Sequence, residues 1–290
     1  MNINPFHPHS FTIGTKELLD MKPEKKLRGM KRRTREERKR KERIVLAAAA
    51  SILIVFVSSF LANSMLNQPS TNQTVNSTSE RKAAIVDQLS LTYPNQTFIQ
   101  TATDSLRQAG YTVDYYPGEN VTVEFYRSLP TREYGLIILR VHSTPLSLFS
   151  SEPYDKNKYV WEQLTDQLTR AKYYQEDEVA FFGITAQFVR SGMNGRFSDS
   201  AIVMMGCMGL TFADTAEAFV YKGAKVYISW NDFVLSSHTD LATIHLLRHL
   251  ITGEQPVKQA IGNTMHDVGA DPAYNSLLLY YPLEAGSYAI

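Results

Sequence analysis

Gly135 to Val141, GLIILRV, and Ala201 to Met205, AIVMM, are the two stretches that decide the fold. In each, apolar residues stand at consecutive positions instead of alternating, so both faces of the strand they form would be apolar. Such strands lie inside a parallel sheet covered on both sides. Around them, short apolar runs alternate with helical patterns. Ala83 to Val86 is a first strand, and Phe98, Ala102, Leu106 and Ala109 form one helical face that stops at Gly110. Tyr111 to Tyr116 is a second strand, and a short element follows to Leu129. Trp161, Leu164, Leu168 and Ala171 have the spacing of an amphipathic helix, and Val179 to Ile184 with Gln187 to Arg190 reads as a hairpin. Phe212 to Tyr221 is a helix closed by Gly223, and Lys225 to Ser229 a strand. Asp240 to Ile251 is a helix closed by Gly253, and Leu277 to Tyr281 a last strand. The alternation predicts an α/β doubly wound, mostly parallel sheet.

The 290 residues carry 30 Lys+Arg against 29 Asp+Glu, 43% hydrophobic residues and one cysteine, which excludes a disordered chain and a disulfide-stapled miniprotein. The near-neutral total hides a split. Residues 1–43 hold 14 Lys/Arg and 6 Asp/Glu, a net of +8, leaving 16 and 23, a net of −7, for the remainder. Lys31 to Arg43 reads KRRTREERKRKER, and residues 44–66 that follow have no ionisable side chain. At about 1.5 Å per residue such a stretch covers a hydrocarbon core of roughly 30 Å, so 44–66 is expected to be a transmembrane helix. The charged lead is too long and the apolar run too extended for an ordinary cleavable signal peptide, although Ala62 and Ser64 give a small-x-small pattern.

Basic flanks stay cytoplasmic, so 1–43 is expected inside and the C-terminal part outside. The sequons at Asn72, Asn76, Asn95 and Asn120 all follow the span and are candidates for glycosylation. A basic run can also be a nuclear-localisation or RNA-binding arm. The adjoining apolar helix favours anchoring, with lipid as the partner and no nucleic acid. Residues 67–80, rich in Ser, Thr, Asn and Gln, read as a polar stalk, and 81–290 as one extracytoplasmic domain.

Ligands of such sheets bind outside the carboxyl ends of the strands. There His142 follows GLIILRV, and Cys207 follows AIVMM and Gly206. Were the two strands neighbours, about 4.8 Å apart, both side chains would project over one rim. A thiol facing an imidazole is the minimum set for a cysteine nucleophile with a general acid/base. Backbone N–H groups at Ser143 and Cys207 are candidates for an oxyanion hole, and Gly206 and Gly209 permit a tight turn. The alternative is a small buried Cys207 and a hydrogen-bonded rim His142 with no catalytic part.

The ordered set of a strand ending in His142-Ser143, a strand ending in Gly206-Cys207-Met208-Gly209, a helix, Gly223-Ala224, a strand ending in Ser229-Trp230 and a helix ending at Gly253 resembles the caspase-like cysteine peptidases. That clan includes caspases, clostripain, gingipains and CHAT-domain peptidases. The resemblance spans roughly Ala83 to Val268 and implies a peptide-bond hydrolase with Cys207 as nucleophile and His142 as general acid/base, needing no cofactor. It also implies a substrate pocket at Ser229, Trp230 and Asn231, although Trp230 reads equally as core. The clan usually has Gly where Ser143 stands, and the interval from His142 to Cys207 is longer than in caspases. A catalytically inactive domain of the same fold, serving as a recognition or scaffolding module, is the alternative function.

His245 and His249 have zinc-ligand spacing but lack the Glu of HExxH, so no metal is expected. No phosphate loop, GxGxxG or GxSxG elbow occurs, and Glu176 to Glu178 reads as a solvated turn.

Overall fold

The computed structural model describes residues 81–173 and 179–290. The expected tail, membrane helix and stalk, with Asn72 and Asn76, lie outside the described residues, as does the acidic run Glu176 to Glu178. Among the described residues no helix is long and apolar enough to cross a membrane.

The domain is α/β, built on a mixed, mostly parallel six-stranded sheet. Its strands, numbered in chain order, are β1 (Arg81–Asp87), β2 (Tyr111–Pro117), β3 (Leu136–Arg140), β8 (Ala201–Met204), β9 (Val226–Trp230) and β10 (Leu278–Tyr281), in the order β10-β9-β8-β3-β1-β2. All neighbours run parallel except β10, which is antiparallel to β9. The consecutive apolar residues of GLIILRV and AIVMM are explained by burial on two sides. Ile85, Leu136, Ile138, Val203 and Ile228 enter one core, while Val86, Ile137, Leu139, Ile202 and Tyr227 enter the other.

Helices α1 (Gln96–Gln108), α5 (Ser236–Leu247) and α6 (Val257–Val268) supply the first core, and α2 (Val123–Ser128) and α4 (Asp214–Tyr221) the second. Helix α1 starts where the Asn95 side chain accepts the Phe98 N–H at 3.1 Å, and the chain leaves it through Gly110 at φ +84°. Its buried face, Phe98, Ala102 and Leu106, is the one the periodicity predicts. Helix α6 lies beyond the elements read from the sequence. Its Val257, Ala260, Ile261 and Thr264 repeat at helical spacing and are buried, but Asn263 and Gly262 dilute the pattern.

The segment between β3 and β8 departs from expectation. It holds a second, antiparallel sheet, β4 (Ser143–Thr144), β5 (Ser147–Pro153), β6 (Leu168–Ala171) and β7 (Phe181–Thr185), in the order β4-β5-β7-β6. The expected helix through Trp161 and Ala171 is a single turn, α3 (Val160–Leu164), followed by strand β6. Tyr159 at φ +53° and Asp166 at φ +56° bound that turn and interrupt any longer helix. Leu168 and Ala171 are buried, whereas Trp161 and Leu164 face solvent. The expected hairpin is absent too: β7 pairs with β5 and β6, and Phe188–Gly192 is a π-helical turn.

Candidate active site

In the β3–β8 ladder Leu139 pairs with Met204. His142 and Cys207 each lie three residues beyond that pair, so parallel geometry delivers them to the rim at the same height. They line one cavity of about 250 Å³. Its walls come from the ends of four adjacent strands, with Leu89 and Tyr93 following β1 and Phe233 to Ser236 following β9.

Cys207 sits on a turn that glycine makes possible. A Cβ at Gly206 would overlap Ser143 Oγ and the Val141 carbonyl, and one at Gly209 would overlap the Met204 and Ser229 side chains. Between them Met208 takes φ +56° and donates its N–H to the Asp232 carbonyl at 2.9 Å. The half-buried Cys207 thiol donates to the Val234 carbonyl at 3.6 Å. Burial pushes the thiol pKa up, and the nearby Asp271 and Asp232 charges add to the rise. Ser143, standing where the resembling clan has Gly, donates its hydroxyl to the Cys207 carbonyl at 2.6 Å. It joins the two candidate oxyanion-donor segments through the side chain.

The His142 ring is held from several sides. Thr92 Oγ1 lies 2.9 Å from Nε2 and engages that nitrogen. Tyr173 packs on the ring at 4.5 Å between centroids, with Tyr93 and Phe149 further out at 5.8 and 6.0 Å. Tyr173 and Phe149 belong to the inserted sheet and its extension, so the insertion builds one wall around the imidazole. Gln88, fully buried, accepts the His142 backbone N–H at 2.9 Å and donates to the Tyr173 hydroxyl at 2.8 Å. Burial, then the positive charge of Arg140, lowers the His142 pKa to about 4.

Arg140 lies beneath this rim with a fully buried side chain. It bonds Asp87 at 2.7 Å through Nη1, Asp240 at 2.7 and 2.9 Å through Nε and Nη2, and the Tyr93 carbonyl at 2.8 Å. Asp240 also accepts from Asn95 Nδ2 at 2.8 Å. The cavity wall at Tyr93 is thereby tied to the sheet and to two helices. Thr92, Gln88 and Arg140 were not singled out from the sequence. Their signal was position, since Gln88 and Thr92 follow β1 and Arg140 ends β3 at the same rim.

The residues implied as a substrate pocket fall elsewhere. Ser229 is buried and donates to the Met204 carbonyl at 2.8 Å. Trp230 is core, its Nε1 donating to Thr239 at 2.9 Å. Asn231 accepts the Leu277 N–H at 2.8 Å and pins the start of β10. None of the three lines the cavity, whose wall begins two residues later at Phe233. Of the described sequons, Asn120 is exposed, whereas Asn95 caps α1 and bonds Asp240.

His245 Nδ1 and His249 Nε2 each stand 2.9 Å from Asp267 Oδ2, and these bonds hold that carboxyl well below the usual range. Among the described residues no group of three His, Cys, Asp or Glu is arranged to hold a metal. No protein-family model matches the chain, and no curated protein matches it.

Proposed function

We propose that residues 81–290 form a caspase-like, doubly wound cysteine peptidase domain, displayed outside the cell and anchored by the apolar stretch 44–66 with its basic cytoplasmic flank. One observation carries the reading: Cys207 and His142 end neighbouring central strands at equal height and line a single cavity. In the reaction, Cys207 Sγ attacks the scissile carbonyl carbon while the His142 imidazole takes the thiol proton. The C=O electron pair moves onto oxygen, which backbone N–H groups at Cys207 and Ser143 receive. Collapse breaks the C–N bond, and the imidazolium gives its proton to the leaving amine. Water, deprotonated by His142, then cleaves the thioester and restores the thiol.

A thiol-directed peptidyl probe tests the reading on the full chain. The expected result is one adduct, on Cys207, lost in Cys207→Ala; no adduct, or one that survives the substitution, refutes catalysis. The second reading, an inactive module of the same fold, is favoured by one observation: burial disfavours both the imidazolium and the thiolate, so no preformed ion pair activates the sulfur. Anchoring is tested on intact cells, where added protease should remove the C-terminal domain and spare residues 1–43. Survival of the domain would overturn the topology.

A further inference from the structure

The cavity that holds His142 and Cys207 has a composition that bears on what it binds. Among its described lining residues none is Asp, Glu, Lys or Arg. Its lining includes three exposed aromatic side chains: Tyr93 is 54% exposed, Tyr274 48% and Phe233 38%. Clustered exposed apolar side chains of this kind mark a binding surface more than scattered ones do. Phe233 and Tyr274 pack at 5.5 Å between centroids, so this part of the lining is organised before any ligand arrives.

Several polar groups around the cavity are already engaged within the protein. Thr239 Oγ1 donates to the Met205 carbonyl at 2.9 Å and accepts from Trp230 Nε1 at 2.9 Å. The Val234 carbonyl accepts from the Cys207 thiol. Asp271, the nearest buried carboxylate, accepts the N–H groups of Leu235, Ala273 and Tyr274 at 2.8 to 2.9 Å and is 2% exposed. That carboxylate ties the Leu235 and Tyr274 parts of the lining together and does not face a ligand. Asp232 is exposed, accepts the Phe233 N–H at 2.8 Å and does not line the cavity.

A charged side chain entering here would lose its hydration without meeting an opposite charge among the lining residues, which is costly, whereas an apolar one gains burial. We propose that the cleft selects peptides whose residue before the scissile bond is uncharged and apolar, of leucine or phenylalanine type, and ranks basic residues below these and acidic residues last. This rests on the peptidase reading above. The ranking of basic over acidic follows from Asp232 and Asp271, which add negative charge near the sulfur without offering a direct contact.

The test uses the full chain with three peptidyl acyloxymethyl ketones that differ only in that residue, Leu, Arg or Asp, and reads the rate of adduct formation at Cys207. The expected order is Leu, then Arg, then Asp, with about tenfold or more between Leu and Arg. An Arg or Asp probe that reacts as fast as the Leu probe overturns the proposal while leaving the peptidase reading intact. Should none react, reversible binding of the matching peptide amides, followed by fluorescence polarisation, decides. Preference for Leu then upholds the cleft's selectivity although catalysis fails, and equal or absent binding overturns it. Ser236→Asp supplies a second arm. Ser236 lines the cavity at the first turn of α5, where a carboxylate suits the helix, so the variant should fold. It should raise the Arg probe relative to Leu by about tenfold; an unchanged ratio counts against the assigned wall.

Discussion

His142 reaches the cleft as a neutral imidazole and stays so down to about pH 4. Because its folded pKa lies below the ordinary histidine value, the folded state binds this proton less readily than the unfolded chain. Its contribution to stability is therefore fully present above about pH 6.5 and is lost as pH falls through 4. Denaturant titrations across that window should give less loss of stability in His142→Gln than in the unsubstituted chain. Cys207 moves the other way: its raised pKa keeps the sulfur protonated at neutral pH. Iodoacetamide should alkylate the folded protein more slowly at pH 7 than it alkylates free cysteine, with the rate climbing on the alkaline side. A rate that is fast and flat from pH 5 to 7 would instead reveal a thiolate–imidazolium pair. Thr92 is a positioning residue for the ring through Nε2. Thr92→Val should lower the rate of probe capture by about ten- to a hundredfold with little change in melting, and Thr92→Ser should restore it. Loss of stability in place of rate would assign Thr92 a structural part only.

At the scale of elements, the turn carrying Cys207 is the least tolerant. Gly206→Ala forces a methyl into Ser143 Oγ and a backbone carbonyl, so the β3 and β8 ends must separate. The expected cost is about 1–3 kcal/mol of stability, with probe capture abolished, checked by thermal melting and mass spectrometry. The central strands were legible because double-sided burial demands consecutive apolar residues, and GLIILRV and AIVMM have them. The inserted sheet was not. Trp161, Leu164, Leu168 and Ala171 satisfy a helical repeat by coincidence, since two are exposed on α3 and two are buried from β6. What separates them is left-handed backbone at Asp166, a position that local periodicity does not announce. Likewise β7 lies between β6, its chain neighbour, and β5, which is not, a pairing that local periodicity does not encode.

Across the whole molecule, Arg140 joins β1, β3, the loop at Tyr93 and α5 through Asp87 and Asp240. Removing it leaves two buried carboxylates facing each other. Arg140→Met should cost about 3–5 kcal/mol and lower the melting temperature by roughly 10 °C; Arg140→Lys, which keeps the charge but not the fork, should fall between. An unchanged melting curve would show that the cluster is dispensable. Arg140 also marks how far the site could be read in advance. The rim positions of His142 and Cys207 followed from strand ends alone, whereas Gln88, Thr92 and Arg140 act through contacts between segments far apart in the chain.

The same ladder has a bearing on covalent continuity. His142 and Cys207 are kept side by side by β3 against β8, and the chain that connects them folds into a sheet of its own. The exposed loop Asp155 to Lys158 lies within that insertion. A trypsin cut at Lys156 would place the two residues on separate polypeptides without touching the bonds that align them. The fragments should stay together through native gel filtration and part only in denaturant, so the domain can persist as a two-chain molecule.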